Sequence, residues 1–309
     1  MVYIGHMLGV IIGLLCILLG LFLQKQARFS VKIASKWVNN YLFYLVLPAL
    51  ALLYIPQIEA DWQLLIPISA AWFTFLLSWL VFGLLGKFLN WSRSMTGCLI
   101  IVSGLANTSF LGFPVIEFFY GEQGLPTALL MDQGGSFLLV SSLSVIVGTL
   151  YSEKEGNLKS IPWKIISFPP FLFLVISVGM SILKIPTPQI LLPFLSAIGK
   201  TMAPIALLAI SLKFSWEPHS LKSKYFWWGM TYRLLFAPFM VWLIYRYLLP
   251  KEALTFTVTV MESAMAPMIT GSIVAINYDL NPKLASQLSG LGMPISLLTL
   301  LFWYYLLGA

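Results

Sequence analysis

Apolar segments long enough to cross a bilayer constrain this chain more than any other feature. A helix of about 20 residues spans the hydrocarbon core, and in lipid only helices and closed barrels satisfy every backbone group. We therefore predict an all-α polytopic membrane protein with ten transmembrane helices. The ten spans are Met7–Leu23, Trp37–Ile55, Trp62–Gly86, Met95–Phe119, Gly124–Tyr151, Trp163–Leu183, Ile190–Leu212, Tyr225–Leu249, Ala253–Ile276 and Leu284–Leu307.

The composition agrees with a membrane protein and excludes several other classes. The chain is 59% hydrophobic and 9% charged, with a mean hydropathy of +0.90, whereas a soluble domain is about 25% charged. The net charge of +7 does not indicate nucleic acid, because the basic residues lie in short loops rather than in one patch. Cys16 and Cys98 both lie in spans, so we expect no disulfide framework, metal cluster or other cofactor.

The distribution of basic residues predicts the orientation. With the N-terminus outside, the inside loops hold most of the 18 basic residues, and the outside loops hold Lys184, Arg246 and Lys251. This bias predicts a multi-pass protein of the cell membrane with both termini outside. No cleavable signal is expected, since no basic residue precedes the first apolar segment.

Two spans contain a stretch that a continuous helix in lipid would not favour. Gly104–Pro114 combines two glycines and a proline with Asn107, Thr108 and Ser109, and Glu262–Gly271 carries a proline, a glycine and a carboxylate. Glycine costs about 1 kcal/mol relative to alanine, and proline removes a backbone hydrogen bond. Interrupted backbone at membrane depth persists only where it is buried or lines a cavity. Both stretches therefore predict breaks at a transporter binding site.

Three prolines of the first half recur in the second half at offsets of 153 to 156 residues. They predict two repeats of five spans, residues 1–151 and 163–309, joined by a cytoplasmic linker, 152–162. Because five is odd, the repeats would be inverted relative to each other. The pairs are Pro48 with Pro204, Pro114 with Pro267 and Pro126 with Pro282.

Four runs in order along the chain carry a family resemblance. They are NNYLFYLVLPAL (Asn39–Leu50), GLANTSFLGFPV (Gly104–Val115), GKTMAPIALLAISL (Gly199–Leu212) and SIVAINYDLNPKLAS (Ser272–Ser286). With these runs the chain resembles a bacterial member of the auxin efflux carrier family over nearly its whole length.

The resemblance implies two inverted five-helix repeats with broken crossover helices 4 and 9, as in the bile acid–sodium symporter relatives. It implies a scaffold of helices 1, 2, 6 and 7 and a mobile transport part of helices 3–5 and 8–10, working by elevator-type alternating access. It also implies an organic anion as substrate, which is auxin in plant members and a malate- or malonate-type acid in bacterial ones. Plant members have proline just before the asparagine of the fourth span, where this chain has Ala106, and the flanking glycines still favour a break.

The candidate substrate-binding residues of the two breaks are polar or flank a proline. Asn107, Thr108 and Ser109 can donate to a carboxylate or accept around a cation, and a half-helix beyond a break presents free N–H groups to an anion. Alternatively, these side chains only satisfy the interrupted backbone. Pro267 and Met268 are candidates from the second break. The expected crossover or hinge residues are Gly104, Gly112, Pro114 and Gly271.

Glu262 is the first candidate for ion coupling, because it lies about 13 Å into its span by helical rise. It could hold Na⁺ with Asn107 and Ser109, carry a proton, or pair structurally with Lys200. Lys200 could in turn attract the substrate carboxylate.

Two further ionisable residues lie within the spans. Asp132, next to Gln133, is the second candidate for ion coupling and an alternative partner for Lys200. Arg233 could snorkel towards the inside or pair with another group.

The sequence therefore predicts a secondary transporter of a small organic anion, with the lipid bilayer as its other partner and a homodimer as a further possibility. Na⁺ or H⁺ coupling and passive transport both stay open. One alternative is a cation-coupled carrier of another solute class. Another is an intramembrane enzyme, for which the sequence offers no HExxH motif. No nucleotide-binding loop is present, so ATP would not drive transport directly.

Overall fold

The chain is helical wherever its structure is described. The computed structural model describes residues 12, 15–26, 30–58, 62–152, 161–213, 223–249 and 253–308. Within these ranges there is no strand, and one isolated antiparallel bridge joins Ala106 to Pro267. The all-helical prediction is confirmed. The start of the first predicted span and most of the linker between the predicted repeats lie outside the described residues.

The α-helices of the described residues form eighteen segments in chain order. They are α1 (Leu15–Gln24), α2 (Val31–Tyr41), α3 (Leu47–Tyr54), α4 (Leu65–Phe88), α5 (Arg93–Gly104), α6 (Phe113–Tyr120), α7 (Leu125–Leu129), α8 (Leu138–Ser141), α9 (Leu143–Tyr151), α10 (Ile161–Ile166), α11 (Pro169–Ile182), α12 (Leu192–Gly199), α13 (Met202–Lys213), α14 (Lys224–Thr231), α15 (Ala237–Tyr245), α16 (Leu254–Ser263), α17 (Ile269–Asn277) and α18 (Pro282–Leu307). Wider π-helical turns are Leu42–Val46, Thr108–Gly112, Leu130–Phe137 and Tyr232–Phe236.

Five continuous helical segments of the described chain are long and apolar enough to cross a membrane. They correspond to predicted spans 2, 3, 5, 7 and 10, so a helical membrane protein is confirmed. The number of crossings and the inverted relation of the two halves stay predictions. The five segments are Val31–Gln57, Leu65–Phe88, Glu122–Tyr151, Leu192–Leu212 and Pro282–Leu307.

Local capping explains where several helices begin. The Ser92 side chain accepts from the backbone N–H of Met95 at 3.2 Å and starts α5, which is the usual role of an N-cap serine. Ser30 caps α2 in the same way. The helix of the second span therefore begins at Val31 rather than at Trp37, because its first turns carry polar residues that a hydropathy pattern does not count.

The chain divides into two compact units. The first comprises residues 1–62, 109–129 and 166–214, and in it α3 packs against α11 and α12. Side-chain hydroxyls tie this packing to backbone carbonyls, since Thr187 Oγ1 donates to the carbonyl of Leu52 at 2.6 Å and Ser181 Oγ donates to that of Ile58 at 2.5 Å.

The second unit comprises residues 63–108, 130–165 and 215–309. Its most extensive helix packing involves α4. Here α4 contacts both α5 and the π-helical turn Leu130–Phe137. A π-helical turn leaves a carbonyl without its usual helical partner. Trp72 Nε1 donates to such a carbonyl, that of Gly134, at 3.1 Å, and Trp303 Nε1 donates to that of Leu234 at 2.8 Å.

Gly135 gives a test of this close packing. A Cβ at Gly135 would lie 2.5 Å from Cβ of Ala71 on α4, so Gly135→Ala should destabilise the second unit by about 1–3 kcal/mol through overpacking. Gly179 on α11 is the matched control, because a Cβ there meets nothing within 4 Å and alanine improves helix propensity by up to about 1 kcal/mol. Thermal unfolding in detergent should show a lower midpoint for Gly135→Ala alone. Equal midpoints for both variants would contradict the packing.

Candidate functional site

Both polar stretches singled out in the sequence interrupt a helix. Helix α5 ends at Gly104 and α16 ends at Ser263. The backbone then becomes extended at Leu105, with φ −103° and ψ 126°, and at Met268, with φ −69° and ψ 127°. Helical structure resumes at Thr108 and at Ile269. Both interruptions lie in the second unit, whose segment 63–108 ends at Thr108.

The two extended segments pair with each other. The backbone N–H of Asn107 donates to the carbonyl of Ala266 at 2.8 Å, and that of Met268 donates to the carbonyl of Leu105 at 3.0 Å. Pro267 stands at the centre of this antiparallel pairing and has no N–H to leave unpaired. We call these two hydrogen-bonded segments the crossing. They satisfy backbone groups that lipid could not satisfy.

Polar side chains on or linked to the two interruptions lie in the second unit. Thr108 Oγ1 donates to Asp132 Oδ1 at 2.6 Å, which links the first interruption to the π-helical turn of the fifth span. Asp132 is also near enough to Glu262 for the two carboxylates to interact electrostatically. We call Asn107, Thr108, Asp132, Gln133 and Glu262 the polar cluster.

Most of the polar cluster is buried without a partner. Asn107, Gln133 and Glu262 are each 0% exposed. Each of these side chains has two polar atoms, and none of the six atoms has a hydrogen-bond partner in the described part of the chain. An unpaired buried polar group costs about 1–3 kcal/mol, and native proteins keep few of them. These three side chains are therefore the candidates for contacting a ligand, an ion or water.

The helix ends at the crossing carry opposite partial charges. Helix α17 starts directly after Met268 and has no side-chain cap, so its first N–H groups and the positive end of its dipole face the second interruption. Helices α5 and α16 present their carbonyl ends instead. Arg233 donates to carbonyls of both, at Gly104 and at Ser263.

Two glycines named as hinge residues lie where backbones approach closely. A Cβ at Gly271 would lie 2.9 Å from Leu105 Cδ1, and one at Gly104 would lie 3.0 Å from Phe75 Cδ2. Both glycines therefore let neighbouring segments pack against the crossing. Gly112 ends the π-helical turn that starts at Thr108, and Pro114 lies in the first turn of α6, where proline is tolerated.

Ser109 and Lys200 belong to the first unit. Ser109 follows Thr108 directly and is buried. Lys200 lies at the end of α12, is exposed, and has Glu117 as an electrostatic neighbour in its own unit.

Sequence reasoning understated Gln133 and Arg233. Gln133 drew notice only as the neighbour of Asp132, and Arg233 was expected to snorkel or pair. The structure buries Arg233 completely, so snorkelling is wrong. A polar or charged side chain well inside an apolar span was the available signal for both residues, but it does not reveal the partner.

The chain is similar to known transporters over nearly its whole length. A profile of the family described as membrane transport protein matches residues 6–304. An uncharacterized transporter of Methanocaldococcus jannaschii is 27% identical over 310 residues, covering 96% of this chain and 97% of that protein. An uncharacterized transporter of Methanothermobacter thermautotrophicus is 27% identical over 308 residues, covering 98% of this chain and 99% of its own. Both organisms are archaea, whereas the sequence resemblance suggested a bacterial member.

The match includes both interrupted helices and every residue of the polar cluster. It agrees with the apolar helices in identifying a multi-pass membrane protein that transports a solute rather than an enzyme. The resemblance inferred from the four sequence runs is confirmed. The chain belongs to the membrane transport protein family, that of the auxin efflux carriers.

Proposed function

We propose that this protein is a secondary transporter that moves a small organic anion, such as a monocarboxylate, a dicarboxylate or an auxin-like acid, across the cell membrane. The observation that carries the proposal is the crossing, with the unpaired Asn107 side chain buried beside it. A transporter needs polar groups at membrane depth that only the substrate completes.

An anion suits the crossing for two reasons. The amide of Asn107 can donate two hydrogen bonds, and neither polar atom of this side chain has a partner in the described residues. The uncapped start of α17 adds backbone donors and the positive end of a helix dipole. Thr108, Pro267 and Met268 would border the substrate within the second unit.

Coupling to Na⁺ or H⁺ is the next part of the proposal. Glu262 and Asp132 are two buried carboxylates within electrostatic reach of each other, and like charges in a buried site repel strongly. A sodium ion held by carboxylate and amide oxygens, or a proton on one carboxylate, would relieve that repulsion. The same pair supports a second candidate, a cation-coupled carrier of another solute class.

The transport cycle we propose is elevator-type alternating access. Ten helices in two inverted five-helix repeats would form a scaffold from helices 1, 2, 6 and 7 and a moving part from helices 3–5 and 8–10. Support comes from the family and from the two interrupted helices, which the predicted repeats would place at corresponding positions, as in a carrier site. Gly104, Gly112, Pro114 and Gly271 would absorb local backbone changes.

Asn107→Ala should weaken transport without weakening the fold. Losing a substrate contact of about 1–3 kcal/mol lowers affinity roughly 10- to 100-fold. The variant also removes an unpaired buried amide, so its unfolding midpoint should equal or exceed that of the wild type. Uptake of labelled indole-3-acetate, malate and malonate into proteoliposomes measures the first effect.

Asn277→Ala is the matched control for this experiment, because Asn277 is exposed at the end of α17. It should leave uptake unchanged. Wild-type affinity in Asn107→Ala would place the substrate elsewhere.

Glu262→Gln should abolish the dependence of uptake on the coupling ion. Glutamine keeps the size and hydrogen-bonding reach of glutamate but removes the charge that a cation would balance. Uptake is measured in Na⁺ against choline and over a range of pH, and the wild type should respond to one of these changes. Glu122→Gln, at an exposed carboxylate, should respond as the wild type does. An unchanged ion response in Glu262→Gln would exclude this residue and leave Asp132 as the coupling group.

Reporter fusions test the proposed orientation. A fluorescent protein that folds only in the cytoplasm should stay dark when fused after Ala309, because the basic residues predict an outside C-terminus. The same reporter inserted after Lys159, in the linker, should fluoresce. Strong fluorescence from the Ala309 fusion would rule out ten crossings with both termini outside.

A further inference from the structure

Of the arginines and lysines whose side chains the structure describes in the second unit, only Arg233 is completely buried. It lies in the π-helical turn Tyr232–Phe236, between α14 and α15. One turn earlier, Gly229 lets α14 approach the end of α5, since a Cβ there would lie 2.7 Å from Ser103 Oγ. The wide turn and the glycine together bring the guanidinium to the crossing.

The guanidinium joins the ends of two different helices. Its Nη1 donates to the carbonyl of Gly104 at 3.1 Å and to that of Ser103 at 3.4 Å, and its Nη2 donates to the carbonyl of Ser263. These carbonyls belong to the last residues of α5 and α16. The last carbonyls of a helix have no partner within the helix and carry the negative end of its dipole. One side chain thus satisfies both interrupted helices.

The chemistry of arginine fits this position. A buried cation is costly unless it is compensated, and here carbonyl oxygens at two helix ends accept from Nη1 and Nη2, while Nε has no hydrogen-bond partner among the described residues. In the described residues the guanidinium donates to backbone carbonyls, and no carboxylate accepts from it. Arginine offers a planar fork of donors that reaches two acceptors at once, whereas lysine offers a single ammonium.

We propose that Arg233 is a positioning residue that acts as a resident cation at the crossing. It holds the carbonyl ends of α5 and α16 together, which keeps the Asn107–Ala266 and Met268–Leu105 hydrogen bonds in register. The backbone N–H groups at the start of α17 then remain available to the anionic substrate. The role in transport rests on the proposed function, but the role in holding the crossing does not.

Hydrogen exchange tests the structural part without any substrate. In Arg233→Ala the amides of Asn107 and Met268 should exchange at least about tenfold faster, which corresponds to about 1.4 kcal/mol. Amides of α11 in the first unit should keep their wild-type rates. Guanidinium chloride at low millimolar concentration should restore slow exchange at the crossing by filling the vacated place, and equal NaCl or urea should not.

Uptake into proteoliposomes tests the transport part with the same variants. Arg233→Met should lower uptake at least about tenfold, Arg233→Lys should retain part of it, and guanidinium should restore uptake in Arg233→Ala. Arg246→Ala is the control, because Arg246 stacks on Trp242 and Tyr247 away from the crossing, and it should not respond to guanidinium.

Three results would overturn the proposal. They are wild-type exchange at the crossing in Arg233→Ala, faster exchange throughout the protein that guanidinium does not correct, and wild-type uptake in Arg233→Met. If the wild type transports none of the tested acids while Arg233→Ala still loosens the crossing and guanidinium tightens it, the proposed function fails and the positioning role stands.

Discussion

The crossing depends on two backbone hydrogen bonds, and both interrupted helices of the second unit depend on the crossing. In lipid, an interrupted helix leaves backbone groups that neither water nor the next turn can satisfy. The bonds from Asn107 to Ala266 and from Met268 to Leu105 meet that requirement reciprocally. Because each interruption supplies the partners of the other, neither broken helix would be stable alone in this environment. Two breaks in one chain are therefore a single structural feature.

The crossing separates charge along the interrupted helices. Arg233 satisfies the carbonyl ends of α5 and α16, while the N–H end of α17 carries no side-chain cap. Because Arg233 is a cation at the carbonyl ends, the N–H end of α17 would remain available to an anion. Among the described residues, backbone carbonyls rather than a carboxylate accept from the arginine.

The polar cluster has a cost in stability that a structural role does not explain. Asn107, Gln133 and Glu262 are buried and have no hydrogen-bond partner among the described residues, although apolar residues of similar volume would avoid the penalty. Proteins tolerate such groups mainly where function needs them. This cost agrees with the proposal that substrate and coupling ion complete these interactions during transport.

The sequence by itself determined the apolar spans, the two interruptions and the family, because hydropathy, glycine, proline and motif order are local properties of the chain. It also marked Asn107, Asp132 and Glu262, since polar groups inside apolar spans are conspicuous. Only the tertiary structure decided which groups meet. It paired Thr108 with Asp132 and placed Arg233 on two helix ends, because such partners are far apart in sequence and are chosen by packing.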